Sequence, residues 1–439
     1  MIDSLQDRFS SIEQSIGGTR THDKIGTVRK VTGLIIEPEG PEVCIGQVCS
    51  ISSDRHGDST EAQVVGFSEN KVLLMPLESV HLIHPGCNVI SKKNSNSVPF
   101  GDALLGRVID GMGRPIDGKG PLRAPYREGF YSEPPNPLQR KLISESFSTG
   151  IKSIDTFIPM GQGQRIGIFS GSGVGKSVLL GMIGRGSEAE VNVISLVGER
   201  GRELREFIEN DLGAEGMAKS VIVVSTSDQP APMRIRAATL ATALSEGFRD
   251  AGKKVLLLMD SLTRFAMAQR EIGLAAGEPP ASRGYVPSVF SVLPKLLERT
   301  GSLESGSITA IYTVLVEGDD MNEPVADAVR GFLDGHIVLD RDLANANHFP
   351  AVDVLRSVSR LDRTVCSSEE MNLISKSRDL LSVYKQNEDL INVGAYVKNS
   401  NAKIDEAISK YDSISSFLKQ PYDKLHNRDE SFKILSSIL

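Results

Sequence analysis

The segment RIGIFSGSGVGKSVLLGMI (165–183) sets a glycine-rich turn between a β-like run and a helix-forming stretch. Its glycines let backbone N–H groups converge on a polyphosphate at the start of a helix, whose dipole also favours anions. Lys176 supplies a compact positive charge for the β- and γ-phosphates, and Ser177 offers its hydroxyl to Mg²⁺. The segment therefore predicts a nucleoside triphosphate site. The predicted nucleotide-binding residues are Gly171, Ser172, Gly173, Val174, Gly175, Lys176, Ser177 and Val178.

The first position of this phosphate loop departs from the usual pattern, which begins with glycine where this chain has Ser170. The departure is small because the other residues that would touch phosphate are intact. A purely structural glycine turn is the alternative interpretation. Such a turn rarely carries a Lys-Ser pair between a strand and a helix, so the phosphate interpretation is favoured.

Two carboxylates follow buried, strand-like runs. The run VLLLMD ends in Asp260, where a carboxylate can hold the water shell of Mg²⁺. The run VISLVGERGREL places Glu199 just past another strand, where a carboxylate can orient and deprotonate an attacking water. Taken singly, Asp260 suits a helix cap and Glu199 an exposed loop. Beside a phosphate loop, the metal and catalytic roles are favoured.

The elements that must position these residues alternate along the chain. Between about residues 150 and 345, apolar strand-like runs alternate with longer helical patterns, which predicts a parallel sheet wrapped by helices. Nucleotide sites of such sheets lie at the carboxyl edge of the strands. The predicted strands are 165–170, 191–197, 221–225, 255–259 and 308–316.

The first residues predict a short amphipathic helix, because apolar residues recur at steps of three and four and so fall on one face. One apolar face at a terminus either packs on its own domain or docks a partner, and periodicity alone leaves both open. The apolar positions are Ile2, Leu5, Phe9, Ile12 and Ile16, and Gly17 and Gly18 end the pattern.

Three further segments complete the organisation. The β-rich runs 31–36, 43–49, 62–67 and 72–75, separated by turns, predict a small β-barrel. The glycine- and proline-rich stretch 111–137 predicts an extended strap on the surface of the following domain. From about residue 365, helical spacing predicts a small helical domain. The residues with that spacing are Leu380, Leu381, Tyr384, Ile404, Ile408 and Tyr411.

Composition narrows the function classes. A formal net charge of -7 and a pI of 5.7 disfavour a broad nucleic-acid-binding surface. No run approaches the roughly 18 apolar residues of a membrane helix. The start MIDSLQDRFSS lacks the basic and apolar regions of a signal peptide, so we expect a cytoplasmic protein. The four cysteines match no paired zinc spacing and are expected to be reduced, packed thiols.

Six motifs together resemble the catalytic subunits of rotary ATPases and, more specifically, the type III protein export ATPases. They are DALLGRVIDGMGRPIDG, TGIKSIDTFIPMGQGQR, SGSGVGKS, LVGERGREL, LLLMDSLTRFAMAQREIGLAAGEPPASRGYVPSVF and EGDDMNEPVADAVRGFLDGHIVL. The similarity runs from about residue 20 to the C-terminus. GERGRE with MDSLTRFAMAQREIGLAAGEPP is specific for the export branch, and MPLESVHLIHPG and NPLQR lean toward its flagellar form.

This resemblance implies an α/β fold: a RecA-like phosphate-loop core with a parallel sheet, plus an N-terminal β-barrel and a C-terminal helical domain. The implied bounds are 1–18 for a partner-docking helix, 19–97 for the barrel, 98–364 for the ATPase domain and 365–439 for the helical domain. The resemblance also implies a homo-hexamer that binds ATP and Mg²⁺ between subunits.

The family's site residues carry over to matching positions in this chain. Lys176 contacts phosphate, and Ser177 and Asp260 hold the magnesium ion. Glu199 is the carboxylate that activates water. Arg200 matches a site arginine that positions this carboxylate or the phosphate. Together with Arg360, the residues Glu199, Lys176 and Arg200 are the implied catalytic set.

Three implied contacts come from farther along the chain. Arg360 falls at the arginine-finger position and would reach the γ-phosphate of a neighbouring subunit; without the resemblance, a surface salt bridge is its ordinary interpretation. Phe349 stands where relatives carry a tyrosine that stacks on adenine, with core packing as the alternative. Tyr396 would close the other side of the base. Asn399 replaces a usual glycine and still tolerates a left-handed turn.

The implied activity is ATP hydrolysis coupled to the export of flagellar proteins, through chaperone release, substrate unfolding and delivery to a membrane export gate. Implied partners are a stator-like regulatory protein on the N-terminal helix, a coiled-coil stalk in the pore, and export chaperones and substrates, with no nucleic acid. The implied location is cytoplasmic, peripheral to the inner-membrane export apparatus.

Four alternatives stay open from the sequence. The nearest is the ATPase of an injectisome, which serves virulence. A catalytic subunit of an ion-pumping rotary ATPase shares the core but usually differs at both termini. A non-catalytic nucleotide-binding subunit would show an eroded phosphate loop or lack Glu199, and this chain has both features intact. A Rho-type RNA translocase needs an RNA-binding barrel, which an acidic, aromatic-poor chain disfavours.

Overall fold

A computed structural model describes residues 25–52, 59–69, 71–78, 83–92, 95–316, 318 and 320–439. The helix predicted over 1–18 lies outside these described residues. The described residues fall into two units. One holds those up to Ser95 together with Ala275–Gly277, and the other holds those of Asn96–Leu274 and Glu278–Leu439.

In the first unit, six antiparallel strands close into a barrel in the order β1-β2-β5-β4-β3-β6. The strands are β1 (Ile25–Thr32), β2 (Ile35–Glu39), β3 (Val48–Ser52), β4 (Ser59–Ser68), β5 (Lys71–Pro76) and β6 (Asn88–Ser91). Inward-facing apolar side chains such as Ile36, Val64 and Leu74 fill the barrel. The predicted N-terminal barrel is therefore confirmed.

Two of the four β runs predicted in this region are wrong in extent. The run 31–36 is a hairpin, because it contains the end of β1, a turn at Gly33 and the start of β2. Gly33 has a φ of 58°, which glycine adopts without a steric penalty. In the run 43–49, only the last two residues belong to β3.

In the second unit a nine-stranded sheet has the order β19-β18-β12-β17-β15-β13-β14-β8, with β16 beside β17. Its strands are β8 (Arg107–Asp110), β12 (Arg165–Ser170), β13 (Val191–Glu199), β14 (Ser220–Thr226), β15 (Lys254–Asp260), β16 (Gly301–Ser302), β17 (Ser307–Leu315), β18 (Gly335–Leu339) and β19 (Val352–Ser359). The seven strands from β18 to β8 are parallel, which confirms the predicted parallel sheet. The outermost strand, β19, runs antiparallel to β18.

Four short strands form two small ribbons in this unit: β7 (Ser97–Pro99) with β9 (Tyr126–Glu128), and β10 (Ser146–Phe147) with β11 (Met160–Gly161). The helices before the C-terminal region are α1 (Lys152–Phe157), α2 (Lys176–Gly186), α3 (Gly201–Glu206), α4 (Gly213–Ala218), α5 (Ala231–Asp250), α6 (Leu262–Ala275), α7 (Pro287–Leu297), α8 (Pro324–Phe332), α9 (Arg341–Asn345) and α10 (Asp362–Val365). A π-helical segment, Phe207–Leu212, joins α3 to α4.

Each face of the sheet buries its own apolar core, because side chains of a strand alternate between faces. Phe169 of β12 joins the core that includes α5 and α7. Its neighbour Ile168 joins the opposite core, with α1 and α2. The sheet is thereby covered on both sides, as a parallel sheet requires.

The C-terminal helices are α11 (Ser368–Asn392), α12 (Ala402–Leu418) and α13 (Arg428–Ile438). Leu380, Phe417 and Leu435 belong to the second core, so these helices share the core of the sheet. The rings of Tyr384 and Tyr411 stack between α11 and α12 with centroids 3.6 Å apart. In the linking loop Asn399 has a φ of 70°, which confirms the predicted left-handed turn. No helix in the described part of the chain is both long enough and apolar enough to cross a membrane.

The strap predicted over 111–137 is mostly irregular and extended, with β9 as its only regular strand among the described residues. It is held more firmly than a surface segment would be, since Phe130 is only 1% exposed. The guanidinium of Arg299 donates to the carbonyls of Gly129 and Phe130 and pairs with buried Glu246 at 2.7 Å. These hydrogen bonds hold the strap against the unit that contains the sheet.

Candidate functional site

The phosphate loop lies at the carboxyl end of β12, where Gly171 follows the strand and Lys176 begins α2. The side chain of Val174 is 2% exposed and packs into the core, which fixes the middle of the loop to the sheet. Ser177 and Val178, in the first turn of α2, are exposed. The loop therefore presents its backbone and the start of α2 to an open cleft, as an anion-binding helix start requires.

The predicted lysine and both predicted carboxylates meet above this loop. Lys176 Nζ lies 2.5 Å from Asp260 Oδ1 and 3.8 Å from Glu199 Oε1. Thr313 Oγ1 also donates to Asp260 Oδ1, at 2.6 Å. Asp260 ends β15 and Glu199 ends β13, so neighbouring parallel strands deliver the two carboxylates to one edge. The two residues are far apart in sequence, and the pairing of β13 with β15 brings them together.

Burial raises the pKa of Glu199 to about 7, and the nearby negative charge of Asp260 acts in the same direction. The positive charge of Lys176 opposes this shift, and a hydrogen bond with the Glu203 side chain raises the pKa further. A carboxyl with this pKa can accept a proton near neutral pH, which is what general base catalysis needs.

This pKa predicts an acid limb in the rate profile. A base must be ionised, and a carboxyl is ionised above its pKa. With Mg²⁺ in excess, we expect kcat/KM for ATP to fall about tenfold per pH unit below about pH 7 and to level off above it. Steady-state rates at a series of pH values measure this limb.

Glu203→Gln provides the matched check on that profile. It removes one of the smaller contributions that raise the pKa of Glu199, after burial and Asp260, so the limb should move to lower pH. Values of kcat/KM that stay flat through the neutral range in the unsubstituted protein would contradict a Glu199 base.

The cleft over the phosphate loop has a volume of about 590 Å³. Predicted residues that line it are Gly171, Ser172, Gly173, Gly175, Lys176, Ser177, Val178, Glu199 and Arg200. The side chain of Arg200 is 81% exposed, and its Nη1 lies 3.5 Å from Glu203 Oε1. The exposed guanidinium leaves Arg200 available to a ligand in the cleft.

Arg264 and Glu203 also line the cleft, and neither has a role predicted from the sequence. Arg264 Nε is buried and has no hydrogen-bond partner within the described part of the chain. A Cβ on Gly198 would lie 3.0 Å from Arg264 Cβ, so the glycine before Glu199 makes room for this arginine. Glu203 lies in α3, four residues after Glu199. The motifs LTRFAMAQR and GERGRE contain these two residues and are the sequence signals by which they could have been found.

Phe349 is brought to the phosphate loop, although it is far from it in sequence. A Cβ placed on Gly175 would lie 3.4 Å from the ring carbons Cδ1 and Cε1 of Phe349. The ring is 41% exposed, and the carbonyl of Phe349 accepts a hydrogen bond from Gln420 N at 2.9 Å. An exposed aromatic face beside a phosphate loop is suited to stack on a base.

Tyr396 is not brought to this place, and its predicted position beside the base is wrong. Its hydroxyl donates to Asn401 O at 2.9 Å, just before the start of α12. Phe349 bonds to Gln420, just after the end of the same helix. A helix of 17 residues spans about 25 Å, so Tyr396 and Phe349 lie at opposite ends of it.

A different aromatic residue lies near Phe349. Tyr422 is 65% exposed and follows Gln420 by two residues. Its carbonyl accepts from Arg185 Nη2 at 2.6 Å, in the last turn of α2, the helix that starts with Lys176. The only sequence signal for Tyr422 is its place in QPYDKLH after a helical run, which is too weak to select it.

Arg360 follows β19 and lies away from its own phosphate loop. Ser359 pairs with Gly335, the first residue of β18, whereas Ser170 pairs with Leu339, its last residue. The length of β18 therefore separates Arg360 from the carboxyl edge, roughly 13 Å along the strand. Arg360 is exposed, and its Nη2 lies 3.5 Å from the carbonyl of Arg330.

Three known domain families match this chain in order. Residues 28–93 match the beta-barrel domain of the ATP synthase alpha/beta family, and residues 150–359 match its nucleotide-binding domain. Residues 366–437 match the T3SS EscN ATPase C-terminal domain.

Full-length relatives and a solved structure agree with this order. The "Flagellum-specific ATP synthase" of Bacillus subtilis (strain 168) is 53% identical over 98% of this chain and 99% of the relative. The "Type 3 secretion system ATPase" of Xanthomonas euvesicatoria is 46% identical over 98% and 97%. The assembled ATPase EscN from the enteropathogenic E. coli type III secretion system, solved in complex with its central stalk EscO, has a TM-score of 0.86. It is 43% identical and covers 94% of this chain and 99% of that chain.

Proposed function

The chain belongs to the family of flagellum-specific ATP synthases and type 3 secretion ATPases, and from that premise we propose that it hydrolyses ATP to export flagellar proteins. The flagellar system is favoured over the injectisome because the relative of 53% identity carries a flagellar name and the type 3 secretion relative is 46% identical. ATPase activity itself follows from the family.

One observation carries the proposal: Lys176, Glu199 and Asp260 meet above an open phosphate loop. Nζ of Lys176 is within 4 Å of both carboxylates, at 2.5 and 3.8 Å. A glycine turn with a purely structural role would not need a half-buried carboxyl of raised pKa beside it. The cluster has the parts that phosphoryl transfer to water requires.

In the proposed reaction Glu199 accepts a proton from a water molecule, whose oxygen attacks the γ-phosphorus. The bond between the γ-phosphorus and the β,γ-bridging oxygen breaks, and ADP and phosphate leave. Lys176 neutralises charge on the β- and γ-phosphates, and the backbone N–H groups of the loop hold the oxygens. Arg200 and Arg264 face the same cleft and orient Glu199 or the phosphate. Phe349 and Tyr422 flank the base.

Magnesium fits the oxygen atoms at this site. No group of three or more metal-binding side chains occurs among the residues that the structure describes, so the chain offers no closed protein cage. Mg²⁺ prefers one or two protein oxygens with water and substrate phosphates, and the Ser177 hydroxyl and Asp260 carboxylate match that preference. When bound, the ion would neutralise charge on the phosphates.

Completion of the site by a second copy of the chain is supported by the position of Arg360. Arg360 is exposed at the sheet edge opposite its own phosphate loop, so a phosphate that it contacts would be held by another subunit. The relative EscN was solved as an assembled ATPase with a central stalk. We therefore assign this chain a homo-hexamer with ATP sites between subunits and a coiled-coil stalk in its pore.

Hydrolysis in such a ring would shift the helices α11 to α13, because their core is continuous with that of the sheet. The movement would release chaperones, unfold export substrates and deliver them to the membrane export gate. A cytoplasmic location at the inner-membrane export apparatus, and docking of a stator-like protein on residues 1–18, complete the proposal. The docking segment lies outside the described residues.

The proposal is tested with purified protein, Mg²⁺ and ATP over a series of protein concentrations. Because active sites form between copies, phosphate release per chain should rise with concentration and level off as rings form. Mass measurements at the same concentrations should place that rise at the transition to hexamers. A specific rate that is constant from the monomer upward would contradict shared sites.

A further inference from the structure

Gln420, in the loop between α12 and α13, uses every polar atom of its side chain. It is 3% exposed. Its Oε1 accepts from Lys152 N at 2.8 Å, and its Nε2 donates to Gly150 O at 2.9 Å and to Lys424 O at 2.7 Å. A buried amide with all its bonds made is held in one orientation.

The segment to which the Gln420 side chain bonds, around Gly150, is itself held by hydrogen bonds. Residues 148–150 wrap the carboxylate of Asp155, which is 1% exposed. Asp155 accepts from Thr149 N at 2.8 Å, from Gly150 N at 3.1 Å and from the hydroxyls of Ser148 and Thr149. Gln420 therefore binds an anchor that belongs to the core of the sheet and not to the C-terminal helices.

The main chain of Gln420 bonds to Phe349 and leads on to Tyr422, and both of these aromatic residues are exposed. With its side chain fixed, Gln420 directs its own N–H to the carbonyl of Phe349, at 2.9 Å. Two residues later, the carbonyl of Tyr422 accepts from Arg185 at the end of α2. Phe349 is thus hydrogen-bonded to the main chain of Gln420, and Tyr422 lies two residues farther along the stretch of backbone that the Gln420 amide holds in place.

We propose that Gln420 is a positioning residue for the nucleotide base. It fixes the spacing of Phe349 and Tyr422 and ties that spacing to the phosphate loop through α2. This inference rests on the proposed binding of ATP and adds a residue that touches no atom of the substrate. The stacking energy depends steeply on the distance between a ring and the base. A gap of the wrong width between Phe349 and Tyr422 therefore weakens base binding and leaves phosphate binding unchanged.

Gln420→Ala separates base binding from phosphate binding. We expect KM for ATP to rise about tenfold, and kcat at saturating ATP to change by less than about twofold. The inhibition constant of magnesium tripolyphosphate, which has the three phosphates and no base, should stay within about twofold of the unsubstituted protein. The readout is the ratio of KM for ATP to the inhibition constant of magnesium tripolyphosphate, because a general loss of protein stability does not change this ratio.

Asn192→Ala is the matched control. Asn192 is also a fully buried amide, and its Nδ2 donates to Gly184 O at 2.8 Å and to Ser220 Oγ at 3.2 Å, but it lies at the amino end of β13, opposite the cleft. The Asn192→Ala substitution should lower the unfolding temperature and leave the ratio of KM for ATP to the tripolyphosphate inhibition constant unchanged. Gln420→Glu, which keeps the oxygen that accepts from Lys152 and loses both donated bonds, is the second variant if Gln420→Ala does not fold.

The outcomes are distinct. A selective rise in KM for ATP supports the positioning role. An equal rise in the tripolyphosphate constant overturns it, because the phosphate loop would then be disturbed, and so does an unchanged KM for ATP in both Gln420 variants. An unsubstituted protein that binds tripolyphosphate and ATP equally also overturns it, whereas one that binds neither refutes the proposed function itself.

Discussion

Lys176→Ala is expected to lower ATP hydrolysis by at least about a thousandfold. Lys176 is the cation that faces Glu199 and Asp260, with Nζ at 3.8 and 2.5 Å from their carboxylate oxygens. Without it, two carboxylates would confront the negative phosphates, so both binding and transition-state stabilisation should suffer. Initial rates of phosphate release across a range of ATP and Mg²⁺ concentrations measure the loss.

Lys253→Ala is the control for charge removal. Lys253 is exposed and pairs with Glu190 at 3.2 Å before β13 and β15, at the amino edge of the sheet. Its loss should leave the rate within about twofold, as is usual for a surface ion pair. A Lys176→Ala protein that kept more than about a tenth of the rate would place the catalytic site elsewhere.

Arg360→Ala is expected to lower kcat by about a thousandfold while ATP binding survives, because an arginine finger stabilises charge mainly in the transition state. The loss should come without a large change in stability. Arg360 is exposed, and its side chain makes one long hydrogen bond, 3.5 Å, to Arg330 O. Single-turnover rates and equilibrium binding of ATP to the variant separate chemistry from binding.

Mixing the two inactive variants gives the sharper result. In a random ring of Lys176→Ala and Arg360→Ala chains, about a quarter of the sites combine an intact phosphate loop with an intact neighbouring arginine. Activity should therefore reappear, up to about a quarter of the normal rate. If the mixture stays inactive although mixed rings form, Arg360 does not act on the adjacent copy.

The phosphate loop was predictable because its chemistry is local. Strand, glycine turn, lysine and helix start are consecutive, so the sequence gives both the residues and the conformation that they need. The positions of Glu199 and Asp260 at strand ends were predictable for a similar reason, since parallel strands end at one edge. Burial of Glu199 beside Asp260, which sets its pKa, was visible only in the packed structure.

Of the two aromatic residues proposed to flank the base, only Phe349 was predicted from the sequence. Phe349 and Tyr422 are 73 residues apart, and the hydrogen bond from Gln420 N to Phe349 O brings their two segments of chain together. Nothing in the spacing of aromatic residues separates Tyr422 from Tyr396. The length of α12 distinguishes the two tyrosines. Tyr396 precedes the start of the helix, about 25 Å from its other end, where Gln420 bonds to Phe349.

The residue patterns of this chain predict a nucleotide site at the phosphate loop of a parallel sheet, and a separate barrel domain. Those properties follow from short-range patterns: residue spacing in a turn, and the periods of strands and helices. Which distant residues lie near the phosphate loop follows from the packed structure and not from those patterns. Phe349 lies beside the phosphate loop, Tyr396 precedes the far end of α12, and Arg360 lies at the opposite edge of the sheet. These positions follow from strand register and helix length, which set distances through space and are fixed only when the whole core packs.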